Sequence, residues 1–272
     1  MNRFASLAYL LLCTAVMICS PLVSHAQESM EYSTDGYLAS EWVGNCNDWA
    51  SLMHGEYILN NNVWNKSSVV GYTQCIYTKE TGGKWAYKWT WDWPDMGDWS
   101  VRAYPEVIFG WKPWMTFSTT PKLPIKVADA GKIKASFNIT QKSDDSDGLL
   151  NTAFDIWIVG GPIPTPENRK REIMIWIKKS GQDPAGEKIK TVRIGGEVYD
   201  LFVSEEMEHT YLAFAKRSAT LKGEIPIGKF ITYLAKNGYI SKKEYVASIE
   251  LGNEIRWGSG YTILRGYSID VP

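Results

Sequence analysis

Apolar and polar positions alternate along most of the chain with a period of two. In "REIMIWIKKS", from Arg171 to Ser180, Ile173, Ile175 and Ile177 fall on one face of an extended strand. Glu172, Met174 and Trp176 fall on the other, because successive strand side chains point to opposite sides of a sheet. Comparable short runs, rich in β-branched and aromatic residues and bounded by Gly, Asn, Asp, Pro or Ser, predict strands over 56–61, 73–78, 84–93, 103–109, 132–141 and 153–159. Further runs predict strands over 172–178, 188–194, 197–203, 211–215, 246–251 and 263–270. No βαβ rhythm interrupts them, so the pattern predicts an all-β, antiparallel sandwich. One segment changes period. In "GEIPIGKFITYLAKNGYI", Ile227, Phe230, Ile231 and Leu234 form a single apolar stripe at helical spacing. Pro226 suits the first turn and Asn237-Gly238 supplies the stop, which predicts one α-helix packed on the outside of the sandwich.

The first 26 residues read as a secretory signal peptide. Arg3 is the positive n-region, residues 7–19 are a short apolar run, and Ser24-His25-Ala26 places small residues at a cleavage site before Gln27. The expected division is a signal peptide over 1–26 and one domain over 27–272. No later segment is long and apolar enough to span a bilayer. The mature protein is therefore expected outside the cytoplasm, secreted or periplasmic, with no membrane attachment after cleavage.

Removing Arg3 with the leader leaves 28 Lys and Arg against 30 Asp and Glu, a formal charge of −2. Such a balance offers no electrostatic case for nucleic acid or an anionic membrane and fits a neutral partner. The outlier is aromatic content, with 13 Trp and 15 Tyr. Surplus indoles and phenols provide flat faces that stack on sugar rings, and equally fill a Trp-rich core. Cys13 and Cys19 leave with the leader, so Cys46 and Cys75 remain as one expected disulfide in an exported chain. A closed loop of that length is worth roughly 3.5 kcal/mol on the chain-entropy estimate.

Carboxylates recur on the aromatic faces of the predicted strands. In "TAFDIWIV", Asp155 shares a face with Trp157, opposite Phe154, Ile156 and Ile158. Glu172 shares a face with Met174 and Trp176. In "LGNEIRWGSGY", Glu254 ends a strand before Trp257 and a Gly-Ser-Gly turn. Acids inside strands are disfavoured, and costly on a buried face without partners. A groove lined by acids and indoles is the equipment of glycoside hydrolysis, in which one carboxylic acid protonates the departing oxygen and a second carboxylate attacks or activates water. His54 and His209 join no constellation and read as ordinary loop or strand residues.

These residues carry a resemblance to glycoside hydrolase family 12, the small endo-β-1,4-glucanases that include cellulases and xyloglucanases. "YILNNNVW" (57–64) resembles its Asn-Asn-x-Trp strand and "VRAYPEVIFG" (101–110) its Tyr-Pro strand. "AFDIW" (153–157) resembles its Ala-Tyr-Asp strand, and "EIMIWI" its Glu-(Leu/Ile)-Met-Ile-Trp motif. About eighty residues later, "IELGNEIRWGSG" resembles the segment carrying its second glutamate. Asn65 replaces a Gly common in the family, and Arg256-Trp257 replaces its aromatic-then-polar pair.

The resemblance implies a two-sheet β-jelly roll with a concave substrate groove and a retaining mechanism, whose carboxyl pair is expected about 5–5.5 Å apart. It implies Glu172 as nucleophile, Glu254 as acid and then base, and Asp155 as support for Glu172. Asn62 and Trp64 match sugar-contacting positions, Met174 and Trp176 the floor, and Pro184, in the loop 178–188, and Trp257 further contacts. Among Trp85, Tyr87, Trp89, Trp91 and Trp93, which share one parity, some are core and some are candidates for sugar contact. No metal or organic cofactor is implied. The expected partner is a β-glucan polysaccharide bound by a monomer. Cellulosic glucan, xyloglucan and mixed-linkage glucan all stay open as substrates, and a non-catalytic carbohydrate-binding sandwich is the alternative of a different class.

Overall fold

One long strand, β16 (Ile255–Asp270), passes between two sheets, pairing with β5 and β8 in one and with β9 in the other. A computed structural model describes residues 41–143 and 148–272, so the expected leader over 1–26, its cleavage site and the first part of the 27–272 domain lie outside the described residues. The other strands are β1 (Val43–Asn45), β2 (Ser51–His54), β3 (Tyr57–Asn60), β4 (Thr73–Thr81), β5 (Lys84–Trp93), β6 (Glu106–Gly110), β7 (Ile125–Lys126), β8 (Lys134–Ser143) and β9 (Leu149–Val159). They continue as β10 (Arg169–Ser180), β11 (Glu187–Ile194), β12 (Glu197–Ser204), β13 (Thr210–Lys216), β14 (Lys222–Ile225) and β15 (Tyr245–Gly252).

The smaller sheet runs β1-β4-β5-β16-β8-β14, and the larger β2-β3-β6-β15-β9-β10-β13-β12-β11. All pairs are antiparallel except β10 with β13, which run parallel. The β11–β12 hairpin lies between these two strands in sequence and folds back outside β13, which reverses the chain once more before β13 pairs. Strands β1, β2, β7 and β14 were too short for alternation to announce them. The stretch "RWGSGYT", which reads as a turn, is strand. A Cβ on Gly260 would lie 2.3 Å from the Lys142 carbonyl oxygen and 2.9 Å from the Trp91 ring, so only glycine lets β16 cross there.

The period-two alternation sorts side chains as expected. Ile76, Trp89, Trp91, Trp93, Phe137 and Leu264 from the smaller sheet meet Phe109, Phe154, Ile156, Ile158, Ile173, Ile175 and Leu251 from the larger. Each large side chain taken fully from water contributes roughly 1.5–3 kcal/mol. Trp89, Trp91 and Trp93 are therefore core residues and not sugar contacts, whereas Trp85 is half-buried and stacks on His54 at 3.5 Å. The helix α1 (Ile227–Lys236) buries Ile227, Phe230, Ile231 and Leu234, with Phe230 edge-on to Tyr199 and Phe214. Cys46 and Cys75 are bonded, tying the end of β1 to β4. No helix among the described residues is long and apolar enough to cross a membrane.

Candidate active site

The face of the larger sheet turned away from the core carries the acids. Register places Glu250 on β15 directly across from Asp155 on β9, and Met174 on β10 across from Asp155. Glu172, two residues before Met174, pairs with Trp157, so Asp155 and Glu172 are diagonal same-face neighbours. Glu106 on β6 pairs with Gly252 and is likewise diagonal to Glu250. Four carboxylates on four adjacent strands thus form one oblique row: Glu106, Glu250, Asp155 and Glu172.

Like charges packed this closely require protons or cations. Lys112, from the loop after β6, supplies one cation, with Nζ 2.7 Å from Glu106 Oε1 and 2.8 Å from Glu250 Oε2. Burial works against its charge, but Glu106 and Glu250 outweigh it and hold the lysine protonated. Ser248 Oγ donates to Glu250 Oε1 and Asn62 Nδ2 to Glu106 Oε1, each at 2.8 Å. Glu106 is nevertheless pushed well above the carboxylate range, by burial and then by Glu250. Asp155 is also pushed well up, first by burial and then by Glu172 and Glu250. At the other end of the row, His209 Nε2 lies 2.7 Å from Glu172 Oε2.

Glu254 occupies the bend between β15 and β16. Its backbone N–H donates to Asn151 Oδ1 at 3.0 Å, and Asn151 Nδ2 donates to its carboxylate Oε2. Asn253 fixes this bend from behind. It is fully buried, accepts from Trp89 Nε1 at 2.6 Å and Thr262 Oγ1 at 2.8 Å, and donates to the Asn151 carbonyl oxygen at 2.6 Å. Gly252 permits the approach of the "YPE" segment, since a Cβ there would lie 2.4 Å from the Pro105 carbonyl oxygen. Burial and then the charge of Glu172 push Glu254 up to about 7, against the Asn151 hydrogen bond and the charge of Arg256. Raised this far, Glu254 can hold a proton near neutral pH, as a general acid must.

Tyr104, Ala153, Met174, Trp176, Phe202, Tyr211, Ala213 and Ala215 form an apolar cluster separate from the main core. Met174 Sδ accepts from Tyr211 Oη at 3.2 Å and Trp176 Nε1 at 3.4 Å, which fixes the thioether. Trp64 is 53% exposed and free to stack on a ligand, while Asn62 is buried beside it in sequence. Trp257 is half-buried and meets the exposed Trp99 edge-on at 5.9 Å. The loop expected over 178–188 is shorter, because β10 runs to Ser180 and β11 starts at Glu187. Pro184 is buried within it and not presented outward, and Gln182 Oε1 accepts from Arg256 Nε.

Residues 55–272 match glycosyl hydrolase family 12. The chain belongs to this family. A retaining mechanism is characteristic of family 12. Endoglucanase S of Pectobacterium parmentieri is 28% identical over 234 residues, spanning 83% of this chain and 86% of that protein. The xyloglucan-specific endo-β-1,4-glucanase A of Emericella nidulans is 25% identical over 236 residues, spanning 83% and 90%. The family 12 xyloglucanase from Bacillus licheniformis, solved with a ligand, superposes with a TM-score of 0.76 at 25% identity, over 85% of this chain and 100% of that one. An endoglucanase from Rhodothermus marinus shares the fold, with a TM-score of 0.71 at 24% identity over 85% and 99%.

Sequence reasoning missed His209, Asn151, Lys112, Glu106 and Glu250. His209 corrects the expectation of an ordinary residue, because the β10–β13 pairing brings its ring onto Glu172. Glu250 carried the same signal as Glu172, an acid between Ile249 and Leu251 on the opposite face of an apolar strand. Lys112 and Asn151 carried none.

Proposed function

We propose that this family 12 chain is an exported, retaining endo-β-1,4-glucanase that cleaves internal bonds of β-glucan by double displacement. The observation that carries the reading is Glu254, raised to about 7 by burial and by the nearby Glu172 and so suited to hold a proton, in one site with Glu172, whose Oε2 lies 2.7 Å from His209 Nε2. Glu254 protonates the departing glycosidic oxygen while Glu172 attacks the anomeric carbon and forms a glycosyl-enzyme. Glu254 then takes a proton from water, which attacks the same carbon and restores Glu172. Asp155, pushed to the protonated side, supports Glu172 from the neighbouring strand. Trp64 stacks on a sugar beside Asn62, Met174 and Trp176 form the floor, and Trp257 with the Pro184 loop borders the opposite end.

The protein works as a monomer on polysaccharide, without nucleic acid, and without membrane attachment once the leader is removed. A second reading within the family is a xyloglucan preference, favoured by the xyloglucan-specific relative and the xyloglucanase structure among its likenesses. A product profile by mass spectrometry on cellulose, xyloglucan and barley β-glucan separates the two, and reducing-sugar release separates both from a binding-only sandwich. Glu172→Gln should abolish turnover while leaving oligosaccharide binding within about threefold. Near-normal rates of that variant on cellohexaose would overturn the nucleophile assignment.

A further inference from the structure

Glu172 has one carboxylate oxygen held from outside the acid row. His209 reaches it from the end of the row opposite Lys112, with Nε2 2.7 Å from Glu172 Oε2. The two side chains are 12% and 15% exposed, so the contact is largely withdrawn from water. The imidazole is clamped in orientation. Trp157 stands edge-on to it at 5.0 Å, and Trp114 in turn stands edge-on to Trp157 at 4.8 Å. His209 Nδ1 is buried and has no hydrogen-bond partner. With a carboxylate at Nε2 and no acceptor at Nδ1, the ring proton belongs on Nε2, where it is donated to Glu172. The other charged groups nearby are the Arg169–Glu208 ion pair and Glu205, whose carboxylate accepts from Thr210 Oγ1 at 2.9 Å.

We propose that His209 is a positioning residue for Glu172, fixing Oε2 by an Nε2–H hydrogen bond so that Oε1 is the oxygen that attacks the sugar. This rests on the reading of Glu172 as nucleophile. In the first step the Oε1–C1 bond forms, the bond from C1 to the departing oxygen breaks, and the proton on that oxygen comes from Glu254. Oε2 becomes the carbonyl oxygen of the glycosyl ester and still accepts from His209, so the histidine transfers no proton in either step.

The test uses an aryl β-cellobioside with a dinitrophenolate leaving group, whose departure needs little help from Glu254. His209→Phe keeps a ring edge-on to Trp157 and removes the donor. It should lower kcat/KM about ten- to a hundredfold, mainly in kcat, as expected for losing a hydrogen bond to a charged group. His209→Gln, whose amide N–H reaches the Nε2 position, should stay within about threefold at the optimum. If His209→Phe melts early, His209→Asn takes its place, because its amide reaches only the Nδ1 position and should behave as the donor-less variant. A rate within twofold of the wild type, a loss confined to KM, or equal losses in the Gln and donor-less variants would overturn the proposal. Trapping the wild type with a 2-deoxy-2-fluoro-cellobioside and mapping the labelled peptide keeps the two readings apart. A label away from Glu172 overturns the nucleophile reading and with it the role of His209, whereas a label on Glu172 with kinetically silent His209 variants overturns His209 alone.

Discussion

Asn151 holds Glu254 from two directions, accepting from its backbone N–H at 3.0 Å and donating to its carboxylate. The donation stabilises the ionised form and so limits how far burial and Glu172 raise the group. With Glu254 as the proposed acid of glycosylation, kcat/KM should fall as pH rises through about 7. In Asn151→Ala that alkaline limb should move to higher pH while kcat at the optimum falls about tenfold or more through lost orientation. A pH–rate profile on cellohexaose checks this, and an unmoved or lowered limb would contradict it.

Glu254 should also mark a conflict between activity and stability. Its proton is bound more tightly in the folded chain than in the unfolded one, where the ordinary value is 4.5. The folded state therefore loses stability at this residue as pH rises from 4.5 to about 7, and the loss is complete above that. Glu254→Gln should be inactive but more stable than the wild type at pH 8, by on the order of 1–3 kcal/mol relative to the difference at pH 4. Urea unfolding at the two pH values measures it, and equal differences at both would refute the link.

Lys112 supplies the cation between the buried Glu106 and Glu250, so its removal leaves the two carboxyls packed together without it. Lys112→Met should cost about 3–5 kcal/mol, which for a domain of this size lowers Tm by about 10 °C or more. Adding Glu106→Gln and Glu250→Gln should recover part of the loss. A Tm drop of only a degree or two, read by calorimetry at pH 7, would show that the triad carries little of the fold's stability.

Trp64 poses the reverse case, a large apolar side chain left 53% exposed. Its replacement by Ala should leave the melting temperature almost unchanged, since little burial is lost. KM for cellohexaose should rise about tenfold, equivalent to roughly 1.4 kcal/mol of stacking. A melting loss without a KM change would assign the residue to packing.

Much of the fold was legible because strand periodicity is a local property. The alternation of Ile173, Ile175 and Ile177 with Glu172, Met174 and Trp176 located both the core face and the acid face of β10. The apolar stripe of Ile227, Phe230, Ile231 and Leu234 likewise marked α1. Where alternation had no room, in the two residues of β7 or the four of β14, nothing announced the strand. Glycines misled in "RWGSGYT", where they serve a close crossing and not a turn.

The sequence by itself determined which side chains face the core, where the helix starts and stops, and which motifs tie the chain to its family. Only the tertiary structure decided which acids are neighbours and what holds them. Asp155 stands across from Glu250 because of the β9–β15 register, and His209 meets Glu172 because β13 pairs parallel to β10. Lys112 reaches Glu250 from 138 residues away, and Asn151 reaches Glu254 from 103. Periodicity records the face a residue occupies, but protonation depends on distance to other charges and on burial. Both are set by strand register and by loop side chains that carry no period.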